Sequence, residues 1–442
     1  MRLIQTIKNI FKIEDLRARL IYTFGIILLY RLGKYVSLPG IDPSQLAGLK
    51  SQTSSGIMGL LDMFSGGAFS QASVFALGIM PYISASIVVQ LLGIVFPYFQ
   101  KLQKEGESGR RKMNQYTRYL TVAVLILQAP TYLVNLNAQL PASAFIISGT
   151  FFTVSSVIIL TAGTMFVMWL GEIITDKGIG NGISLIIMIG IVARMPANFI
   201  FEAGTRMNGA GGAVALIVEI LFLFVIVLGV ILLVQGTRRV PVQYARRIIG
   251  NKQYGGVRQY IPLKVNAAGV MPIIFAQAIM MLPMIIAGYA NSGSGFIIAF
   301  SDMYGFWYNL VTAILIVVFT YFYTAITVNP VQMAEDMKKN GGFIPGIKPG
   351  RRTVEFFDTI MSRITLPGSV FLAIVAILPS IAVKAGVTPQ FAQFFGGTSL
   401  LILVGVVLDT LQQIESHLLM RHYDGLMKSG RVKGRSGAVT SI

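Results

Sequence analysis

The sequence predicts an all-α multi-pass membrane protein with ten transmembrane helices. Of its 442 residues, 54% are hydrophobic and 12% are charged, and its mean hydropathy is +0.70. A soluble domain usually carries about 25% charged residues. Ten segments with few or no charges are long enough to cross a bilayer as helices. They are residues 20–38, 74–97, 119–136, 148–171, 183–201, 213–235, 267–290, 308–329, 364–383 and 395–416.

The distribution of basic residues predicts how these spans are oriented. An even number of spans places both termini on one side of the membrane. Thirty of the 36 Lys and Arg residues lie on that side, many of them in segments 98–118, 236–266 and 330–363. The positive-inside rule makes this side cytoplasmic. The formal net charge of +18 is therefore first a signal of topology, although a basic chain can also attract nucleic acid.

Both ends of the chain are predicted to lie at the cytoplasmic surface. Residues 1–19 place apolar side chains at helical spacing between basic ones, which is typical of an amphipathic helix lying on a membrane. Residues 417–442 are predicted to form a basic tail. The apolar positions near the N-terminus are Leu3, Ile4, Ile7, Ile10 and Phe11.

Segment 55–71 is apolar but too short to cross a bilayer. It mixes glycines with large apolar residues, contains Asp62, and precedes the second span on the outer side. Such a segment can fold back into a cavity between helices, where non-spanning backbone is tolerated. Its periodicity equally allows an amphipathic helix outside the membrane. Its large apolar side chains include Ile57, Leu60, Leu61, Met63 and Phe64.

The second span carries polar groups that a lipid-facing helix does not need. The stretch Ser73–Leu92 has no charged residue, yet it contains Ser84, Ser86 and Gln90. An unsatisfied polar group in hydrocarbon is costly. This helix is therefore expected to face protein or a water-filled path, and the alternative is an ordinary kinked helix buried in the bundle.

Several motifs resemble, in order along nearly the whole chain, those of the SecY family, the channel subunits of the bacterial protein-export translocon. The resemblance implies two pseudo-symmetric, inverted five-helix halves around a central pore, with residues 20–201 and 202–416 as the halves. The motifs are DMFSGGAFSQAS, FALGIMPYISAS, KEGESGRRKMNQYTRY, GTMFVMWLGEIITDKGIGNGIS, IPLKVNAAGVMP, FIPGIKPG and FGGTSLLILVGVVLD.

The resemblance also implies which residues seal the pore. Segment 55–71 corresponds to the family's plug helix, which blocks the closed pore from outside. A ring of aliphatic side chains would seal the pore at mid-membrane, since a narrow apolar constriction stops ions by dewetting. Without the resemblance, an isoleucine at any single ring position would be interpreted as ordinary packing between membrane helices. The ring falls on Ile79, Ile83, Ile187, Ile274 and Ile402.

A lateral gate and a docking surface follow from the same resemblance. The gate would open between the second and seventh spans, at Ser84, Gln90 and Leu282. Basic loops 236–266 and 330–363 would bind the ribosome and the SecA ATPase, although attraction to anionic lipid also explains their charge. The docking residues would be Arg246, Arg247, Lys348, Arg351 and Arg352.

One of these docking residues departs from the family pattern. The family commonly has Arg at the position of Lys348, and Lys keeps the charge but loses bidentate geometry. Arg351 and Arg352 are therefore alternatives for the main docking contact.

The expected function is a passive channel in the bacterial cytoplasmic membrane. It would pass unfolded secretory polypeptides, release signal peptides and hydrophobic segments sideways into lipid, and work with SecE, SecG, SecA and the ribosome. A secondary transporter for a small solute and a structural scaffold subunit are the alternatives. Few ionisable residues lie inside the spans, which disfavours an ion-coupled transporter.

No catalytic site, cofactor or metal site is predicted. The chain has no cysteine, so thiolate chemistry and disulfides are excluded. It lacks the G-x-x-x-x-G-K-[ST] phosphate loop, and GIGNGI at 178–183 does not match G-x-G-x-x-G. The two histidines, His417 and His422, are expected to be solvated. A channel without an ATPase site must take its driving force from a partner.

Overall fold

The computed structural model describes residues 13–46, 59, 62–147, 149–209, 212–244, 247–249, 252–254, 258–277, 279–280 and 302–428. Five predicted site residues therefore lie outside the described part, as do residues 1–12 of the amphipathic segment and 429–442 of the tail. The five are Ile57, Leu60, Leu61, Arg246 and Leu282.

Long helices dominate the described residues. In chain order they are α1 Glu14–Gly33, α2 Met80–Val95, α3 Pro97–Lys104, α4 Glu107–Gln139, α5 Thr150–Lys177, α6 Gly182–Val192, α7 Met195–Asn208, α8 Gly212–Gln235, α9 Phe306–Thr327, α10 Pro330–Lys339, α11 Arg351–Lys384, α12 Pro389–Ala392 and α13 Gly397–Lys428. Residues 271–277 and 279–280 are also helical and lie within the predicted seventh span. Short 3-10 turns occupy Pro43–Leu46, Ala142–Ala144 and Gln393–Phe395.

Each of the ten predicted spans contains described helix, but not all pass a strict test of length and hydropathy. Seven helical segments are long and apolar enough to cross a membrane, and the pair α2 and α3, bent by 102°, makes an eighth if it forms one span. Helix α1 is not among them because it carries five charged residues, which are Glu14, Asp15, Arg17, Arg19 and Arg31. The described helix of the seventh span is too short to be counted.

Several helix boundaries differ from those that hydropathy predicts. Helix α1 runs without a break through residue 19, and α13 continues past residue 416 to Lys428. Helix α2 begins at Met80, six residues after the predicted start at 74. The stretch before it has other partners, because the Val74 amide donates to the Val36 carbonyl at 2.9 Å. Gly78, at φ +54°, then turns the chain into the helix.

The predicted plug helix is shorter than segment 55–71. Among its described residues, 59 and 62–64 are helical, and 65–71 form turns. The break follows from Gly66 and Gly67, whose φ angles of +66° and +87° lie in the left-handed region that ends a helix. The described part of this element, residues 59 and 62–71, is called the plug segment below.

The two long basic loops are not simple connections, because they build a small antiparallel sheet. The strands are β1 Thr237–Tyr244, β2 Arg247–Ile249, β3 Lys252–Tyr254, β4 Arg258–Lys264 and β5 Gly342–Phe343. Strand β1 pairs with β4 on one side and with β5 on the other, and β2 pairs with β3 as a separate hairpin. The fold is thus helical in the membrane with a sheet added outside it.

One apolar core joins the two loops. Val240 and Val242 alternate with exposed residues along β1, the pattern of a strand with one buried face. They pack with Phe357 and Met361 of α11, and Phe357 is fully buried. The described parts of segments 236–266 and 330–363 therefore form one unit, whereas the sequence alone predicts two separate loops. It is called the cytoplasmic unit below, after the side of the membrane on which the sequence predicts it.

Candidate functional site

Apolar side chains from both halves of the chain meet the plug segment in one buried cluster. From the plug segment come Met63 and Phe64, and the cluster also contains Ile79, Ile187 and Ile402, all less than 9% exposed. Ile402 belongs to α13 in the C-terminal half, whereas the other four lie in the N-terminal half. Five predicted ring and plug positions from distant parts of the sequence thus lie in one apolar region.

The remaining two predicted ring residues are less buried. Ile83 is partly buried and packs against the same cluster, and its amide donates to the Ile79 carbonyl at 3.1 Å. The two side chains are therefore one helical turn apart. Ile274 is half-buried, whereas Ile273 and Ala276 of the same helix belong to the cluster.

The plug segment is held by backbone contacts as well as by its apolar side chains. The Tyr30 hydroxyl donates to the Ser65 carbonyl at 3.2 Å, and the Tyr132 hydroxyl donates to the Phe69 carbonyl at 3.1 Å. Gly66 lies so near α6 that an added Cβ would be 2.9 Å from the Cα of Gly190. The plug segment is thus packed directly against the helix that carries Ile187.

At the predicted lateral gate, a hydrogen bond crosses between the two halves. The Tyr323 hydroxyl of α9 donates to Oε1 of Gln90 at 2.7 Å, and Nε2 of Gln90 donates to Ser86 within α2 at 3.4 Å. Ser84 donates to the Met80 carbonyl of its own helix at 3.1 Å. Sequence reasoning selected Gln90 but missed Tyr323, because nothing in the sequence pairs residues 233 positions apart.

Aromatic stacking supports the position of Tyr323. Phe275, in the predicted seventh span, stacks on Phe319 with ring centroids 5.6 Å apart, and its centroid lies 6.4 Å from that of Tyr323. The ring of Tyr323 is therefore positioned by Phe275, and its hydroxyl extends to the second span.

Two further contacts cross between the halves away from the gate. On the predicted cytoplasmic side, the Gly180 amide donates to Oε1 of Gln413 at 2.8 Å, so the turn between α5 and α6 is tied to α13. On the predicted outer side, Nδ2 of Asn198 in α7 donates to the Gln390 carbonyl at 3.2 Å. Contacts across the halves therefore exist at both membrane surfaces.

Three of the predicted docking residues, Lys348, Arg351 and Arg352, are exposed on the cytoplasmic unit. Arg351 and Arg352 begin α11, and Arg351 pairs with Glu355 at 3.4 Å. Lys348 is exposed in the preceding turn, where its carbonyl accepts from Thr353 at 3.1 Å. Unpaired amides and the helix dipole make the start of a helix electropositive, so two arginines there create a surface that attracts anions. Arg247 lies in β2.

Among the described residues, no three His, Asp or Glu side chains are grouped as a metal site would require. The buried carboxylates in this part of the chain instead face arginines. Asp62 pairs with Arg194, and Glu202 and Glu219 both pair with Arg206.

Comparisons with known proteins identify the family of the chain. The sequence model of the SecY family matches residues 73–411. The chain is 44% identical over 438 residues to the protein translocase subunit SecY of Corynebacterium glutamicum, with 95% of this chain and 98% of that protein covered. It is 45% identical over 435 residues to the subunit of the same name from Mycobacterium tuberculosis, with 94% and 97% covered.

Solved structures share the fold at lower sequence identity. A protein-conducting channel matches with a TM-score of 0.62 at 19% identity, over 90% of this chain and 92% of the other. Sec61 in a canine ribosome–channel complex matches with a TM-score of 0.58 at 18% identity, over the same shares of the two chains. Another match, with a TM-score of 0.62 at 17% identity over 90% and 92% of the chains, is a SecY protein whose plug domain is described as stabilising the closed state. The profile match and the identity over nearly the full length together establish that the chain belongs to the SecY family.

Proposed function

We propose that this chain is the protein-conducting channel of the bacterial Sec translocon. It passes unfolded secretory polypeptides across the cytoplasmic membrane and releases hydrophobic segments sideways into the bilayer. The driving force comes from SecA or the ribosome, because the sequence contains no phosphate-binding loop of its own. The channel works with the small subunits SecE and SecG, and both of its termini are cytoplasmic.

The observation that carries this proposal is the apolar cluster in which the plug segment meets both halves. Met63 and Phe64 are buried there together with Ile187 of α6 and Ile402 of α13. A narrow path lined by aliphatic side chains excludes ions by dewetting, and flexible aliphatic side chains can pack around a passing polypeptide. A small-solute carrier instead needs polar or charged groups at the midplane to bind its substrate.

The pore ring consists of Ile79, Ile83, Ile187, Ile274 and Ile402. Residues Met63 and Phe64 of the plug block it from the outer side in the resting channel. Opening requires the plug segment to leave and the two halves to separate, and the contacts between the halves set the free energy of that step.

The lateral gate is the seam between α2 and the helices that begin at residue 271 and at Phe306. Gln90 and Tyr323 form its polar contact, 2.7 Å long. The chain has no native cysteine, so Ser84→Cys with Leu282→Cys tests the seam directly. A disulfide requires Cα atoms within about 7 Å, and the cross-link should block translocation until it is reduced. A pair that cross-links efficiently without slowing export would contradict this gate.

The cytoplasmic unit is the docking surface for SecA and the ribosome. Arg351 and Arg352 are exposed at the electropositive start of α11, and Arg238 and Arg258 are exposed on the neighbouring strands. Such a surface suits the phosphates of ribosomal RNA and acidic patches on a motor protein.

Reconstitution tests the function against its alternative. The chain, purified with its small partner subunits, is placed in vesicles and given SecA, ATP and an unfolded precursor. Protection of the precursor from external protease supports the channel. Concentrative uptake of a small solute by the same vesicles, with no precursor protected, would instead support a secondary transporter.

A further inference from the structure

The few basic residues on the outer side of the membrane are concentrated around the plug segment. Six of the 36 Lys and Arg residues lie outside the cytoplasmic segments, against the positive-inside bias. Three of these six contact the plug segment. Arg194 pairs with Asp62, Nη1 of Arg31 donates to the Gly66 carbonyl at 3.1 Å, and a Cβ on Gly67 would lie 2.7 Å from Nζ of Lys34.

Asp62 is the charged group of the plug segment that pairs with Arg194. Its side chain is fully buried, whereas that of Arg194 is 23% exposed. One carboxylate oxygen pairs with Arg194, and the other accepts from the Ser70 amide at 2.8 Å. The Asp62 carbonyl accepts from the Gly67 amide at 2.7 Å. Asp62 therefore organises the turn of the plug segment and also joins that turn to the end of α6.

Arg194 is placed to hold the plug segment against α6. It follows the last turn of α6, the helix whose Gly190 lies against Gly66 and whose Ile187 belongs to the apolar cluster. The ion pair thus fixes the outer end of the contact, and the apolar cluster fixes its inner end.

The energetics of a buried ion pair explain why a charged contact is useful here. The pair gains little over well-packed apolar groups, because both ions lose their hydration, but removing one partner leaves a costly buried charge. Both ions recover water when the plug segment moves out towards the aqueous side. The pair therefore specifies where the plug segment binds without adding a large barrier to its release.

We propose that Asp62 and Arg194 form a releasable latch, in which the ion pair positions the plug segment in the resting channel and separates without a large penalty when the channel opens. The inference rests on the proposed function, because it gives the plug segment a closed and a displaced position. Both are positioning residues that act through the seating of the plug segment.

The first test is the resting ion conductance of the purified complex in planar bilayers. Arg194→Gln leaves the buried carboxylate unpaired, so we expect conductance to rise more than about tenfold. Asp62→Asn leaves the charge on the partly exposed side chain of Arg194, which water can reach, and should raise conductance less. The double variant contains no unpaired buried charge, and we expect it to leak less than Arg194→Gln alone.

The matched control is Lys384→Gln, which removes an exposed outer cation. The latch is refuted if Arg194→Gln leaks no more than this control, or if the double variant leaks as much as Arg194→Gln. Rescue by the second substitution also excludes misfolding as the cause of the leak, since a misfolded chain would not recover its seal when a second hydrogen-bonding group is changed.

The second test concerns release. Asp62→Leu with Arg194→Met replaces the ion pair by apolar side chains that gain nothing from water when they separate. We expect a resting channel at least as tight as the parent and precursor translocation slowed about fivefold or more, because the apolar contact must be exposed on opening. A sealed variant that translocates at the parental rate would refute the release step. Loss of translocation by the parent itself would count against the proposed function, whereas the conductance series would still test the latch.

Discussion

Removing the hydroxyl of Tyr323 should loosen the lateral gate. Tyr323→Phe deletes the 2.7 Å hydrogen bond to Gln90 and keeps the ring contact with Phe275. Hydrogen bonds between membrane helices contribute about 0.6 kcal/mol on average and up to about 1.7 kcal/mol, and a short bond that leaves a part-buried amide oxygen unpaired belongs in the upper half of that range. A loss of about 1 kcal/mol from the closed state alone raises the ratio of open to closed gates about fivefold.

The effect should be visible when gate opening limits export. A precursor with a shortened apolar signal segment gains less from entering lipid, so its translocation depends on the free energy of opening the gate. We expect Tyr323→Phe to translocate this precursor about fivefold faster in vesicles with SecA and ATP. A precursor with a strongly apolar signal should be little affected, because for it the gate is not limiting.

A double-mutant cycle identifies the partner. In a Gln90→Leu background the hydroxyl of Tyr323 has lost its acceptor, so Tyr323→Phe should then change the rate by less than about twofold. The reasoning fails if Tyr323→Phe leaves the weak precursor unaffected in the parent, or if its full effect persists in the Gln90→Leu background.

Three other perturbations test the ring, the docking surface and the cytoplasmic core. Serine at both Ile83 and Ile187 should wet the constriction and raise resting conductance in planar bilayers, and an unchanged conductance would remove these residues from the ring. Glutamate at both Arg351 and Arg352 should weaken ribosome binding and flatten its dependence on salt, and an unchanged salt series would leave lipid attraction as the explanation of this charge. Phe357→Ala should cost about 3–5 kcal/mol in the cytoplasmic unit and expose its strands to protease while the spans stay protected, and a parental cleavage pattern would show that this residue does not hold the unit together.

The membrane spans could be predicted because hydropathy alone constrains them. A helix in lipid must be long and apolar, so segments such as 213–235 appear in the sequence almost as they appear in the structure, where α8 covers Gly212–Gln235. The start of α2 could not be predicted in this way. Residues before Met80 are as apolar as those after it, but their backbone pairs with the chain that follows α1.

Contacts between distant parts of the chain account for most of what the sequence did not reveal. Arg194 was visible as a basic residue on the unexpected side of the membrane, but its partner Asp62 lies 132 positions away. The cytoplasmic sheet had a local signal in the alternation around Val240 and Val242, and the basic composition of the segment concealed it. Gln90 could be selected from its polarity within an apolar helix, which is a local property, whereas the choice of Tyr323 as its partner depends on how two helices pack.

Because the cytoplasmic unit contains one shared sheet, a force applied to that sheet would reach several helices at once. Strand β1 follows α8, β4 leads to the helix that begins at residue 271, and β5 connects α10 to α11, so one sheet and one core tie together helix ends from four spans. A partner that pushes on any of these strands would therefore move the helices of the C-terminal half together, instead of bending a single loop. Hydrogen bonds between the two halves would resist this movement. One joins Gln90 to Tyr323, and another joins Gly180 to Gln413. A force applied to the sheet would thus be carried by a few hydrogen bonds between the two halves.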